Sequence, residues 1–155
     1  MNELEPLLTE LQSLIEKASP AAQRKLASQI AKQLRASQAA RVKANQNPDG
    51  SAYEARKPQP TLGRKRKGRI RKAMFGKLIR ARWLKAKGST SAATVEFIGA
   101  AIRIASVHQF GLRDRVNKHG TEADYPQRQL LGITKDEENK IETTIVEFLA
   151  NHLSI

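Results

Sequence analysis

Leu4, Leu7, Leu8, Leu11, Leu14 and Ile15 recur at the i, i+3, i+4, i+7 spacing of one helix face, with Glu and Gln between them. That spacing predicts an amphipathic helix of about four turns. Ser19-Pro20 restarts the chain, Ser as N-cap and Pro at the first helical position. A second helix follows to about Ala44, with Leu26, Ile30, Leu34 and Val42 on its apolar side. Asn47-Pro48-Asp49-Gly50 then reads as a turn. Apolar periodicity disappears from Ser51 to Lys67 and returns at Met74, Phe75, Leu78 and Ile79, which predict two or three helical turns. Ala81–Lys87 and Ala93–Ile98 flank Gly88-Ser89-Thr90-Ser91 and predict a β-hairpin. Ala100–Phe110, with Ile102, Ile104 and Val107, predicts a short buried helix ending at Gly111. The polar stretch Leu112–Asp124 reads as a surface loop, and Gln129–Ile133 as a third strand. Thr134-Lys-Asp-Glu137 is a capping box, opening a last helix with Ile141, Ile145, Phe148, Leu149 and Leu153 on one face.

Helices first, then a small antiparallel sheet with one short helix, then a closing helix make an α+β fold. At 155 residues it is expected to be one domain. Within it, residues 1–44 form a helical arm, 45–72 a basic loop that stays mobile until a partner orders it, and 73–155 the α+β core.

Charge changes this picture. The net charge is +13, from 28 Lys and Arg against 15 Asp and Glu. Fourteen of the bases and a single acid, Glu54, fall between Glu54 and Lys87, so this segment alone carries +13 and the rest is balanced. Arg64, Lys65, Arg66, Lys67, Arg69, Arg71 and Lys72 are its densest part. Such a block suits polyanions or acidic protein faces. With aromatics at 5% of the chain and no helix-turn-helix or zinc finger, any DNA contact through residues 56–87 is expected to be electrostatic and sequence-independent.

Catalytic chemistry finds no support. There is no cysteine, so thiol catalysis, disulfides and zinc-thiolate sites are excluded. His108, His119 and His152 sit in no metal-ligand pattern. Gly63-x4-Gly68 is followed by Arg69-Ile70, where a phosphate-binding loop requires Lys and then Ser or Thr. Asp114, Glu122 and Asp124 are the only carboxylates that could hold a nuclease metal, and Arg113, Arg115 and Lys118 surround them. The expectation is therefore no enzyme, no catalytic or metal residue and no cofactor. No segment reads as a signal peptide or membrane span, so a soluble cytoplasmic product is expected.

The window from Ser106 to Gly132 is the most demanding in the chain. His108, Phe110, Gly111, Tyr125, Pro126 and Arg128 are its candidate structural or interface residues. Gly111 suits a left-handed helix end, and Pro126 pushes Tyr125 towards extended backbone. Several stretches, taken in order, resemble the phage virion morphogenesis family, the tail completion proteins of P2-like contractile-tailed phages. They are Met1-Asn-Glu-Leu, Ser19-Pro20-Ala21-Ala22, Asn47-Pro48-Asp49-Gly50-Ser51-x-Tyr53, Arg56-Lys57-Pro58, Gly68-Arg69-Ile70-Arg71, Met74-Phe75 and Val95-Glu96-Phe97. Val107-His108-Gln109-Phe110-Gly111-Leu112-Arg113-Asp114-Arg115 and Tyr125-Pro126-x-Arg128-x-Leu130-Leu131-Gly132 complete the set. Gln129 stands where the family pattern often has a second proline.

The resemblance implies a non-enzymatic structural protein of the virion tail or neck, which finishes the head-proximal end of the tail so that it joins a DNA-filled head. It also implies a homo-oligomeric ring, six-fold to match the tail tube, whose partners are tail tube or sheath and head-connector proteins. The basic segment would then touch a neighbouring acidic surface or the packaged DNA. The competing reading is a nonspecific DNA-binding protein.

Overall fold

A computed structural model describes residues 4–57 and 74–152. Arg64, Lys65, Arg66, Lys67, Arg69, Arg71 and Lys72 lie outside the described residues. The elements are helices α1 (Leu4–Glu16) and α2 (Pro20–Lys43), strands β1 (Leu84–Gly88) and β2 (Ala93–Phe97), and helix α3 (Ala101–Phe110). Strands β3 (Arg113–Arg115) and β4 (Glu122–Asp124) and helix α4 (Lys135–His152) follow. The fold is α+β, with β1–β2 and β3–β4 as separate two-stranded sheets. No helix among the described residues is long and apolar enough to cross a membrane.

The chain forms two compact units. The first comprises Met1–Ser37, Leu84–Glu96 and Ile133–Ile155. Its core is Leu26 and Ile30 of α2 with Phe148 and Leu149 of α4, joined by Leu11, Leu14 and Ile15 of α1. The sequence marks the helix starts correctly. Ser19 Oγ accepts the Ala22 N–H at 3.2 Å. Thr134 and Glu137 cap α4 reciprocally, at 2.9 and 3.2 Å. The hairpin turn is held by Ser89, whose Oγ accepts the Ser91 and Ala92 N–H groups. Lys87 and Glu96 pair across its strands at 2.6 Å. β1 lies against α2: Arg35 Nε donates to the Leu84 carbonyl at 2.7 Å. A Cβ on Gly88 would come within 2.7 Å of the Ala27 carbonyl carbon, so only glycine lets this strand approach the helix so closely.

The second unit comprises Gln38–Trp83 and Phe97–Gly132. Val42, Tyr53, Phe75, Leu78, Ala101, Ala105 and Leu130 form its core. Four expectations are corrected here. Residues 74–83 form successive turns rather than a helix, with three-residue bonds from Leu78 N to Phe75 O and from Trp83 N to Arg80 O, both 2.9 Å; Gly76 lowers helix propensity within them. In α3 the buried residues are Ala101, Ala105 and Val107, while Ile102 and Ile104 are exposed. Small side chains let this helix sit close to its neighbours, and the larger isoleucines stay outside. Residues 113–124 form the β3–β4 hairpin, with Arg113 opposite Asp124 and Arg115 opposite Glu122, instead of a loop. Gln129–Ile133 joins no sheet.

Side chains take the place of that missing strand partner. Gln109 Oε1 accepts the Leu130 and Leu131 N–H groups, each at 2.9 Å, and its Nε2 donates to Leu131 O at 3.0 Å. Gln38 does the same for Gly132, donating to its carbonyl at 2.8 Å and accepting its N–H at 3.2 Å. Arg41 donates to the Gln129 and Leu130 carbonyls. Buried backbone must be paired, and here two amides and a guanidinium supply the pairing that holds Leu130 fully buried.

Candidate functional site

The site is the corner where α3 ends. Gly111 adopts φ 62° and ψ 54°, the left-handed C-cap, and its N–H returns to the Val107 carbonyl. A Cβ there would stand 3.0 Å from the Gln127 backbone nitrogen. The returning segment is thus laid directly over the glycine, and Arg128 N donates to His108 O at 2.7 Å.

His108 lies at the centre of a run of rings. Its imidazole is edge-on to Phe75 at 4.7 Å and to Tyr125 at 5.1 Å, and Phe75 meets Tyr53 at 5.7 Å. Such edge-to-face pairs add to simple burial. Arg128 Nη1 lies 3.3 Å from His108 Nδ1. A guanidinium has only donors, so Nδ1 accepts and the ring proton sits on Nε2. Burial, then the charges of Arg128 and Arg56, lower the His108 pKa to about 4. The imidazole is therefore neutral at physiological pH and serves as packing and as acceptor.

Arg128 is 3% exposed and meets carbonyls: Nε donates to Glu54 O at 2.8 Å and Nη2 to Ala55 O at 3.2 Å. Burial lowers its pKa, opposed by the nearby Glu54 charge. Tyr53 adds a second tie, its hydroxyl donating to Gln129 O at 2.8 Å. Arg56 Nη2 donates to Met74 O, and Met74 N donates to Asn45 Oδ1 at 3.1 Å.

The consequence is topological. Residues 53–57 and 74–75 are the two flanks of residues 58–73, which carry seven bases and no acid. Both flanks are held by one cluster: Arg128 and Tyr53 on one side, Phe75 on the other, and Arg56 cross-linking them. The corner thus fixes the positions of both flanks of the cationic stretch.

Among the predicted residues, His108, Gly111, Tyr125 and Arg128 come together, with Pro126 half-buried beside them. Phe110 does not join them; it is 65% exposed. Sequence reading missed Arg41, Gln38 and Gln109 as organising residues. Gln109 lies inside the His108–Phe110 motif, which was a signal. Gln38 and Arg41 look like any polar pair on an Ala- and Gln-rich helix. Among the described residues no three His, Asp or Glu side chains gather as metal ligands. Asp114 instead pairs with Arg103 on the opposite face of the hairpin from Glu122 and Asp124, because strand neighbours alternate faces.

Fold and corner together define a small α+β scaffold that anchors a strongly cationic segment at both ends. The chain belongs to the phage virion morphogenesis family, whose sequence model matches residues 2–150. It is 43% identical over 150 residues to tail completion protein S of Escherichia phage P2, covering 96% of this chain and 99% of that protein. The resemblance read from the residues is thereby borne out. No solved structure matches the chain.

Proposed function

We propose that this chain is a structural, non-enzymatic virion protein that completes the head-proximal end of a phage tail and enables head–tail joining. The observation that carries this reading is the near full-length identity to a tail completion protein. Copies assemble as a ring, six-fold to match the tail tube, between tail tube or sheath proteins and the head connector. The protein is made in the host cytoplasm and ends in the neck of the virion. The doubly anchored cationic segment supports a scaffold role. A ring would present one such segment per copy at a defined place, facing acidic neighbours or packaged DNA.

The charge block alone favours a second reading, a nonspecific DNA-binding protein acting through residues 56–87. The two part in one experiment. Purified protein is added to an extract that lacks it and contains separate heads and tails. Restored infectivity supports the assembly role. A chain that retards DNA at low salt and leaves heads and tails unjoined would replace it with the second reading.

A further inference from the structure

The β3–β4 hairpin has a property that holding the corner does not explain. Tyr125 N donates to Leu112 O at 3.1 Å, and Val116 N to Thr121 O at 2.7 Å. Antiparallel ladders alternate between bonded and non-bonded pairs. The backbone groups of Arg113 and Arg115, and those of Glu122 and Asp124, therefore face outward along the two edges of the hairpin, the Arg115 N–H alone already meeting the Asp114 carboxylate. All four residues are exposed, and their pairing places their side chains on one face. One edge is lined by arginines and the other by carboxylates.

We propose that these edges join copies of this chain, the β3 edge of one copy pairing antiparallel with the β4 edge of the next. Outward backbone groups on an edge strand are a template for pairing with another chain. Charge decides which pairing is allowed. Arginine edge on arginine edge, or carboxylate on carboxylate, sets like charges opposite each other and is destabilising. A two-fold pairing of identical edges is thus disfavoured, and β3 against β4 is left. That contact is head-to-tail, the type that closes into rings or continues as filaments.

The match already works inside one chain, where Arg113 Nε meets Glu122 Oε2 at 2.8 Å; the contact between copies repeats it. Three-residue strands in a two-stranded sheet are marginal alone, so a neighbour adds what the hairpin lacks. Leu112 and Val116, at either end of β3, are 45% and 55% exposed and offer apolar area to cover. The inference rests on the proposed ring of copies and names the surface that forms it.

Three variants of the full chain test it. Asp124→Pro removes an outward N–H and leaves the ladder donors at residues 123 and 125 in place; its fold is checked by circular dichroism. Sedimentation should show self-association weakened roughly tenfold or more relative to wild type. Because the chain has no cysteine, Arg115→Cys and Glu122→Cys chains can be mixed and oxidised. Disulfides between the two kinds of chain should dominate over those between like chains. If folded Asp124→Pro associates as wild type does, or if like chains cross-link best, the hairpin contact is wrong while the ring reading stands on another surface. If the mixed chains give no cross-link in completed tails, the hairpin contact falls, and if those tails carry a single copy of the chain, the ring falls with it.

Discussion

His108 accepts from a guanidinium and lies between two aromatic rings, so a second proton has no favourable place to go. An unfolded chain protonates this histidine near 6.5, the folded chain only near 4. Between those values the unfolded state binds more protons, so stability falls as pH drops from about 6.5 to about 4 and levels off below. The full shift corresponds to at most about 3 kcal/mol, and partial solvent access reduces it. His108→Gln should flatten this part of the profile, measured as the difference in urea midpoint from wild type at pH 7 and pH 4.5. Arg128 works by geometry as much as by charge, since its fork reaches two carbonyls and a ring nitrogen at once. Arg128→Ala should cost about 2–3 kcal/mol in urea denaturation. Arg128→Lys should recover little of it, because a single ammonium cannot span the same acceptors.

At the scale of elements, residues 129–132 behave as a strand whose partner is a set of side chains. Gln109→Leu keeps the volume and removes three hydrogen bonds, leaving the N–H groups of buried Leu130 and half-buried Leu131 and the Leu131 carbonyl without partners. Destabilisation of roughly 2–4 kcal/mol is expected, with faster hydrogen exchange at Leu130 and Leu131 as its local signature. Gly88→Ala should cost about 1–3 kcal/mol in thermal unfolding through overpacking of β1 against α2. The helix starts were legible because Ser19, Thr134 and Glu137 act on backbone within three residues of themselves. Residues 129–133 were misread because a short apolar run signals extended backbone but not what pairs with it. The 113–124 hairpin was missed because its alternation is of charge, and a polar run carries no apolar period. The α3 face was misjudged because Ala101 and Ala105 bury a helix by closeness, which side-chain hydrophobicity does not register.

For the whole molecule, the +13 charge governs encounters with polyanions. Binding of the isolated chain to DNA should weaken steeply with salt. Replacing the seven bases from Arg64 to Lys72 by Gln should reduce the slope of log K against log salt by up to about six, read by fluorescence anisotropy. The same variant should fail to restore head–tail joining if the anchored segment serves assembly. A variant that loses DNA binding yet completes tails at wild-type yield would take the segment out of the assembly role.

The sequence by itself determined the four helices that form, the caps at Ser19, Gly111 and Thr134, the α+β class, the charge block and the family. Each of these depends on spacing, local capping or an ordered set of motifs, all of which are properties along the chain. Only the tertiary structure decided that His108 and Arg128 anchor both flanks of the cationic segment, that Gln38, Arg41 and Gln109 stand in for a strand, and that Phe110 faces outward. Those outcomes depend on which buried backbone groups need partners and which side chains lie close enough to supply them. Residues 20 to 94 positions apart in the chain meet those needs, and no local pattern records which ones they are.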